Sequence, residues 1–344
     1  MLPEHHPGPD FFLCDILDAL PKDDLASMEH PIFSLATRPD RRILRYAHNG
    51  AEIEVVPSVK GLATLFDKDI LIYCVSQLMA AVNAGRPTAR RLQLTAHDLM
   101  AATNRETSGD GYKRLREAFE RLAGTRITTN ITTGAVEATT GFGLIEGWRI
   151  LRHAKGGRMI SVEVTLSDWL YRAVMSKSVL TLSRDYFRLR KPLERRIYEL
   201  ARKHCGRQPE WRISVEVLAK KTGSASPVRV FRKMLRDMIA TDHLPDYHLA
   251  EDPGDILRVT RRDAVVDEDG MVAASGFGGG AWAAGPVISE AARDRLRRLA
   301  PGYDVHALEA EWRGVWERSG RARLKSPEAA LLGWAKKRLA RPEE

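Results

Sequence analysis

Hydrophobic and basic positions separate onto opposite sides of one predicted helix, in the segment Ser226 to Ile239 with the sequence SPVRVFRKMLRDMI. At about 100° per residue, the apolar side chains occupy one arc of about 100° and the cations occupy an opposite arc of the same width. The apolar arc contains Phe231, Met234, Leu235 and Met238, and the basic arc contains Arg229, Arg232, Lys233 and Arg236. This pattern predicts a helix with one face on a core and the other facing an anion.

Four like charges on one stripe repel one another, so the stripe favours an anionic partner, and DNA phosphate or a guanine edge is the candidate. The alternative is a solvated surface helix. A second copy of the pattern favours the first interpretation, because Leu115, Phe119 and Leu122 in GYKRLREAFERLAG stand at a constant offset of 116 residues before Phe231, Leu235 and Met238.

The surroundings of the two basic helices also repeat. A strand-like run and a short helix starting at Thr or Ser precede each copy, in LQLTAHDLMAATN and WRISVEVLAKKTG. Longer amphipathic helices come before these, in DKDILIYCVSQLMAAVNAG and KPLERRIYELARKHCG. Thr-, Ile- and Val-rich strands follow the first copy, and a hairpin around the turn EDPGD follows the second.

Helix, strand, helix, basic helix and hairpin is the element order of a winged helix-turn-helix domain. We therefore expect an α+β fold with two such domains in tandem, a Gly- and Ala-rich flexible linker, and a small C-terminal helical module. The predicted divisions are an acidic N-terminal arm and leading segment, 1–50; the first winged-helix domain, 51–178; the second, main DNA-binding domain, 179–262; the linker, 263–286; and a helical interaction module, 287–344.

Charge is distributed unevenly along the chain. The 54 Lys and Arg against 45 Asp and Glu give a net charge of +9 over 344 residues. Residues 183–240 alone contain 16 Lys or Arg and 6 Asp or Glu, so the second predicted domain has the basic surface expected for DNA. Residues 1–29 have seven acids against Lys22, so we expect this arm to lie away from DNA.

Several other functions are not favoured. Cys14, Cys74 and Cys205 have no metal-ligand spacing and suit a reducing cytoplasm, and no apolar run approaches the about 18 residues of a membrane span. No phosphate-binding loop of the GxxxxGK[ST] type occurs. His5 and His6, the only adjacent histidines, lie in the acidic arm without the context of a nicking site. We predict no enzymatic activity, cofactor, catalytic residue or metal site.

With these motifs in view, residues 11–262 resemble the plasmid replication initiator protein A family of bacteria. The resemblance is most specific in RKPLERRIYELARKHCG, then LAKKTGS, then VFRKMLRD followed by LPDYHL. It implies a cytoplasmic, plasmid- or nucleoid-associated initiator that binds repeated origin sites (iterons), helps to open the duplex and recruits host replication factors. The tail after residue 262 resembles short helical tails of other replication proteins more loosely.

In a helix-turn-helix domain the second helix of the motif enters the major groove, and neighbouring segments contact phosphate. This arrangement predicts base contacts from Arg229, Arg232, Lys233 and Arg236, with arginine suited to bidentate contact with guanine. It predicts phosphate contacts from residues of the turn and from the wing. The turn residues are Lys220, Lys221, Thr222 and Ser224, and the wing residues are Arg258, Arg261 and Arg262. The wing cations have the alternative role of solubilising an edge strand.

The first basic helix is less positive. Lys113, Arg114 and Arg116 begin it, but Glu117 and Glu120 share its outward face. Either this helix accepts from cytosine amino groups through a carboxylate, or the first domain mainly makes protein contacts. If both domains neutralise roughly 6 to 10 phosphates, affinity should fall about 10³- to 10⁵-fold between about 50 and 200 mM salt.

The sequence supports three hypotheses for the function and its partners. The first is an initiator on double-stranded DNA, as monomer or homodimer, and the second is a transcriptional repressor, autoregulatory or not, that uses the same domains on a promoter. Tandem direct repeats favour the initiator, whereas a lone inverted repeat favours the repressor. The third hypothesis adds an adaptor role in which residues 287–344 dock a host helicase, helicase loader or initiator. No membrane partner is expected.

Overall fold

The computed structural model describes residues 11–16, 18–48, 51–133, 136–152, 159–206, 208–266, 272–274, 288, 290–300, 305–318 and 326–339. The chain forms two compact units, one of residues 1–129 and 140–275 and the other of residues 130–139 and 276–344. Helices and sheets are both present, so the predicted α+β class is confirmed.

The N-terminal segment is built into the first unit. Its elements are β1 (Phe12–Leu13), β2 (Lys22–Asp24), α1 (Leu25–Glu29), β3 (Leu44–His48) and β4 (Ala51–Val56). Asp24 accepts from the backbone N–H of Ser27 at 2.8 Å and so caps α1. The predicted arm of residues 1–50 therefore contributes ordered strands and a helix over its described residues.

The first repeat, residues 68–166, has the predicted order of elements. It comprises α2 (Lys68–Asn83), β5 (Arg91–Leu94), α3 (Ala96–Ala102), α4 (Gly109–Gly124), β6 (Arg126–Thr133), β7 (Val136–Gly143), β8 (Ile145–Arg152) and β9 (Met159–Leu166). The repeating positions Leu115, Phe119 and Leu122 of α4 are fully buried. They join a core that includes α2, whose side chains are buried around nearly its whole circumference.

Two four-stranded sheets belong to this part of the chain. One has the order β1-β5-β9-β8, in which β5 and β9 are antiparallel and β1 is parallel to β5. The other has the order β3-β4-β6-β7. After them come α5 (Asp168–Met175), β10 (Val179–Thr181) and a 3-10 helix (Arg184–Arg188), and β10 pairs antiparallel with β2.

The second repeat, residues 192–261, forms a separate core around the second basic helix. Its elements are α6 (Pro192–Cys205), β11 (Glu210–Ser214), α7 (Val215–Thr222), α8 (Val228–Thr241), β12 (Tyr247–Asp252) and β13 (Ile256–Arg261), with strand order β11-β13-β12. Phe231, Leu235 and Met238 are buried in this core, as the helical pattern predicts. Met28 of α1 and Ile72 of α2 lie in the same core, so the arm and the first repeat pack against the second.

Beyond the second repeat, β14 (Ala264–Val266) and β15 (Val272–Ala274) form an antiparallel pair inside the predicted linker. The other residues of the linker after 266 lie outside the described part of the chain. The second unit contains α9 (Glu290–Leu299), α10 (Val305–Arg318) and α11 (Pro327–Leu339), so the described part of the tail is helical, as predicted. Leu296, Trp312 and Leu331 are buried in their common core.

Candidate nucleic-acid interface

The helix α8 presents a cationic face because its opposite face is anchored in the core. Phe231 and Leu235 are buried, whereas Arg229, Lys233 and Arg236 are exposed along the outermost line of the helix. These three positions recur at intervals of four and three residues, which places them on one side of an α-helix. The geometry thus provides a straight row of cationic side chains on a rigid element.

Two cations of this helix are paired with carboxylates of the β12–β13 hairpin. Arg232 donates through Nε and Nη2 to Asp255 at 2.8 and 2.7 Å. Arg236 donates in the same bidentate way to Glu251 at 2.8 and 2.9 Å. These hydrogen bonds lower the pKa of Asp255 and of Glu251 below their ordinary values. Both pairs therefore stay ionised at neutral pH.

Arg229 and Lys233 differ from their neighbours. Among the residues that the structure describes, neither has a hydrogen-bonded or ion-paired carboxylate. They occupy the outermost positions of α8, one helical turn apart. Of the four cations predicted to contact bases, these two are available to an external anion without breaking an existing pair.

Of the four residues before α8 that are predicted to contact phosphate, two are buried. Lys220 is exposed, and Ser224 is half-buried, with its Oγ accepting from the backbone of Ser226 at 3.2 Å. Lys221 is buried and ion-paired with Glu29, and Thr222 is fully buried and donates to a backbone carbonyl at 2.9 Å. The sequence prediction is wrong for these two side chains, because α7 turns them towards α1 and the core.

The arginines of the β12–β13 hairpin are also engaged. Arg258 donates to Asp252 at 3.0 Å, and Arg261 pairs with Asp263. Arg262 donates to both the carboxylate and the carbonyl of Asp242, which follows α8. These contacts join the hairpin to itself and to the end of α8, so the three arginines support the shape of this region.

The cations of α4, the basic helix of the first repeat, also differ in whether they are paired with a carboxylate. Lys113, Arg114 and Arg116 are exposed on α4. Arg114 is paired with Glu106, and Arg116 donates to Glu120 at 3.2 Å. Within the described residues Lys113 has no such partner. The first helix thus presents less available positive charge than α8, in line with its acidic outward face.

A buried ionic cluster joins the two repeats. Lys68, at the start of α2, lies 2.6 Å from Asp23 of β2 and 3.0 Å from Glu199 of α6, and all three are nearly inaccessible. Asp69 of α2 accepts from Arg195 of α6 at 2.5 Å. No local sequence pattern indicates this cluster, because Lys and Asp side chains are almost never fully buried unless they are paired, and the partners are distant in the chain.

A second buried carboxylate joins the arm to α6 and α7. Glu29 of α1 lies 2.9 Å from Lys203 of α6 and is paired with Lys221 of α7. Burial opposes its charge, but the neighbouring cations hold the pKa of Glu29 well below its usual range. The arm therefore helps to position α7 and, through it, α8.

Metal sites and membrane-spanning helices are not found among the described residues. No group of three or more His, Cys, Asp or Glu side chains there is arranged to hold a metal ion. None of the described helices combines the length and the apolarity needed to cross a bilayer. Cys14, Cys74 and Cys205 are buried free thiols.

Comparisons with known proteins point in one direction. Residues 22–249 match the family model described as Replication initiator protein A. A putative replication protein of Wigglesworthia glossinidia brevipalpis is 40% identical over 244 residues, which cover 70% of this chain and 88% of that protein.

Solved structures of RctB are also similar. A crystal structure of its domains 2 and 3 matches with a TM-score of 0.49 and 15% identity, over 69% of this chain and 96% of that one. A second structure of the same domains has a TM-score of 0.47 and 13% identity, over 67% and 94%.

Proposed function

Since the chain belongs to the replication initiator protein A family, we propose that it is a sequence-specific DNA-binding protein that starts plasmid replication at repeated origin sites. The observation that supports this most directly is the outer face of α8, where Arg229 and Lys233 have no ionic partner among the described residues and lie opposite a buried apolar face. An exposed cationic helix backed by a core matches the form of element that reads the major groove.

In this proposal each repeat is a winged helix-turn-helix domain. The order α6, β11, α7, α8 and the β12–β13 hairpin corresponds to that motif, with α8 as the recognition helix and the hairpin as the wing. The order α2, β5, α3, α4 corresponds to it in the first repeat. The buried cluster around Lys68 supports a unit in which both domains approach DNA together.

At the residue level, Arg229 is suited to bidentate contact with guanine O6 and N7, and Lys233 to a base edge or phosphate. Exposed Lys220 lies on α7, which precedes α8, and exposed Lys113 lies on α4 itself; both would contact phosphate. Binding and duplex opening need no bond-forming chemistry from these side chains, and we assign the protein no enzymatic activity.

The first test is selection of fragments from sheared total DNA of the source cell by the purified protein, followed by footprinting. Recovery of tandem direct repeats beside an AT-rich stretch is the expected result. Recovery of a single promoter palindrome would favour the transcriptional repressor instead, since a lone inverted repeat mirrors a two-fold dimer. Failure to enrich any sequence would overturn the proposal.

The C-terminal helices are proposed to dock a host helicase, its loader or an initiator. The described helices α9, α10 and α11 have their own core, and a buried pair between Arg293 and Glu309 at 2.8 Å contributes to it. Removal of residues 287–344 should leave DNA binding intact and abolish plasmid replication. Loss of DNA binding in this variant would contradict the adaptor role.

A further inference from the structure

We propose that two carboxylates of the β12–β13 hairpin, Glu251 and Asp255, determine the specificity of DNA binding by neutralising Arg232 and Arg236 on α8. This inference rests on the proposed function and adds a role to residues outside the recognition helix. The four cations of α8 then divide into two that contact DNA and two whose attraction for phosphate is cancelled within the protein.

Both arginines bind their carboxylates in a geometry that competes with phosphate. Each guanidinium meets its carboxylate through two hydrogen bonds of 2.7 to 2.9 Å, the fork arrangement that it would also form with phosphate. A phosphate must therefore displace a carboxylate from either arginine before it can bind there. The carboxylate so displaced would be left close to the DNA backbone, where like charges repel.

The backbone of the hairpin fixes the position of Asp255. It lies in the turn between β12 and β13 with a φ of +63°. Its carbonyl accepts from the N–H of Val215, the first residue of α7, at 2.9 Å. Glu251 lies on β12 opposite Leu257 of β13. Both carboxylates are thus positioned by the backbone of the same domain that contains α8.

The two ion pairs affect fold stability and DNA affinity to different extents. The arginine side chains are 38% and 62% exposed, and ion pairs at such surfaces contribute little to stability. The same pairs remove two cations from the surface that attracts DNA of any sequence. Non-specific binding depends almost wholly on such cations, so the pairs lower it while Arg229 and Lys233 keep their base contacts.

The test is the double variant Glu251→Gln plus Asp255→Asn in the full chain, which keeps side-chain size and releases both arginines. Binding to a random 30-base-pair duplex and to the selected site is measured by fluorescence anisotropy between about 50 and 200 mM salt. We expect the slope of log affinity against log salt on random duplex to steepen by about 1 to 2. The ratio of specific to non-specific affinity should fall about tenfold.

A matched control separates this effect from a general increase in positive charge. The variant Asp15→Asn plus Glu54→Gln also adds two charges, and it releases Arg86 and Arg45, which pair with these carboxylates at 2.9 and 2.7 Å on other elements. The control should leave the slope close to that of the unmodified protein. Circular dichroism verifies that each variant is folded.

The outcomes distinguish the two proposals. If the unmodified protein binds no DNA, the proposed function and this inference both fail. If it binds but the hairpin variant matches the unmodified protein or the control, only the inference is overturned. A second variant, Arg229→Gln plus Lys233→Gln, should lose discrimination between specific and random duplex; retained discrimination would show that other side chains contact the bases.

Discussion

Lys68 is a charged side chain at the start of a helix, yet it is almost fully buried. Its ammonium is buried between Asp23 and Glu199 at 2.6 and 3.0 Å. Burial lowers the pKa of Lys68, but the carboxylates outweigh this and raise it above its ordinary value. A buried charge with partners on two other elements depends on those partners for its stability.

We expect Lys68→Met to destabilise the fold by about 3 to 5 kcal/mol, because it leaves buried carboxylates without their cation. Urea unfolding measures the change in the free energy of unfolding. Lys60 is the control, since it is 60% exposed and lies 3.8 Å from Glu120. Lys60→Met should change stability by less than about 1 kcal/mol. Equal losses in the two variants would mean that the buried cluster contributes nothing beyond a surface pair.

His30 predicts a pH dependence of stability. Burial lowers the pKa of His30 to about 4, and among the described residues its Nδ1 has no hydrogen-bond partner. The unfolded chain takes up this proton near pH 6.5, whereas the folded protein takes it up only near pH 4. The unfolded state therefore binds more protons between these values, and stability is lost as pH falls from about 6.5 to about 4.

The variant His30→Phe removes this titration and keeps an aromatic ring beside Tyr46, which contacts the His30 ring edge-on at 5.8 Å between centroids. Urea unfolding from about pH 7 to about pH 4.5 should lose about 1 to 3 kcal/mol less stability in the variant than in the unmodified protein. Identical pH profiles would show that His30 is protonated equally in both states.

The helices of the two repeats follow local sequence patterns closely. The helical period buries Leu115 and Phe119 of α4 and Phe231 and Leu235 of α8, as the repeat predicts. Element existence was predictable because helix periodicity and turn residues act over a few positions. The turn between α7 and α8 shows what such patterns omit, since Gly223 adopts a φ of +70° beside a residue of the arm.

Gly223→Ala should lower the free energy of unfolding by about 2 to 3 kcal/mol, from a left-handed backbone and a new clash. A Cβ at this position would lie 2.8 Å from the Cβ of Pro31. Gly85 is the matched control, because it has a φ of +67° and nothing within 4 Å of an added Cβ. Gly85→Ala should cost about 1 to 2 kcal/mol, so thermal unfolding of both isolates the contact with Pro31. Equal losses of stability in the two variants would mean that Pro31 moves away from the added Cβ at little cost.

At the scale of the whole molecule, the net charge overstates the positive charge that is available to DNA. The chain has a net charge of +9, but most of the cations predicted to contact DNA are paired with carboxylates or buried. Of the predicted contact residues, Arg229, Lys233, Lys220 and Lys113 are exposed without a described ionic partner. The two repeats present these cations from one compact unit.

The salt dependence of binding should reflect this reduced set. Four phosphate contacts predict a slope of about −4 for log affinity against log salt. The roughly 6 to 10 contacts expected from the sequence would give a steeper slope. Anisotropy titrations of the full chain on random duplex provide the measurement. A slope steeper than about −7 would mean that the paired arginines turn to phosphate when DNA binds.

The sequence by itself determined the helices, the repeat at 116 residues and the two faces of α8, because these depend on neighbours within a few positions of the chain. Tertiary structure alone decided which cations remain available to bind DNA. Arg232 meets Asp255 across 23 positions and Lys221 meets Glu29 across 192 positions. Ion pairing depends on distance through space, and folding brings together charges that no local period relates.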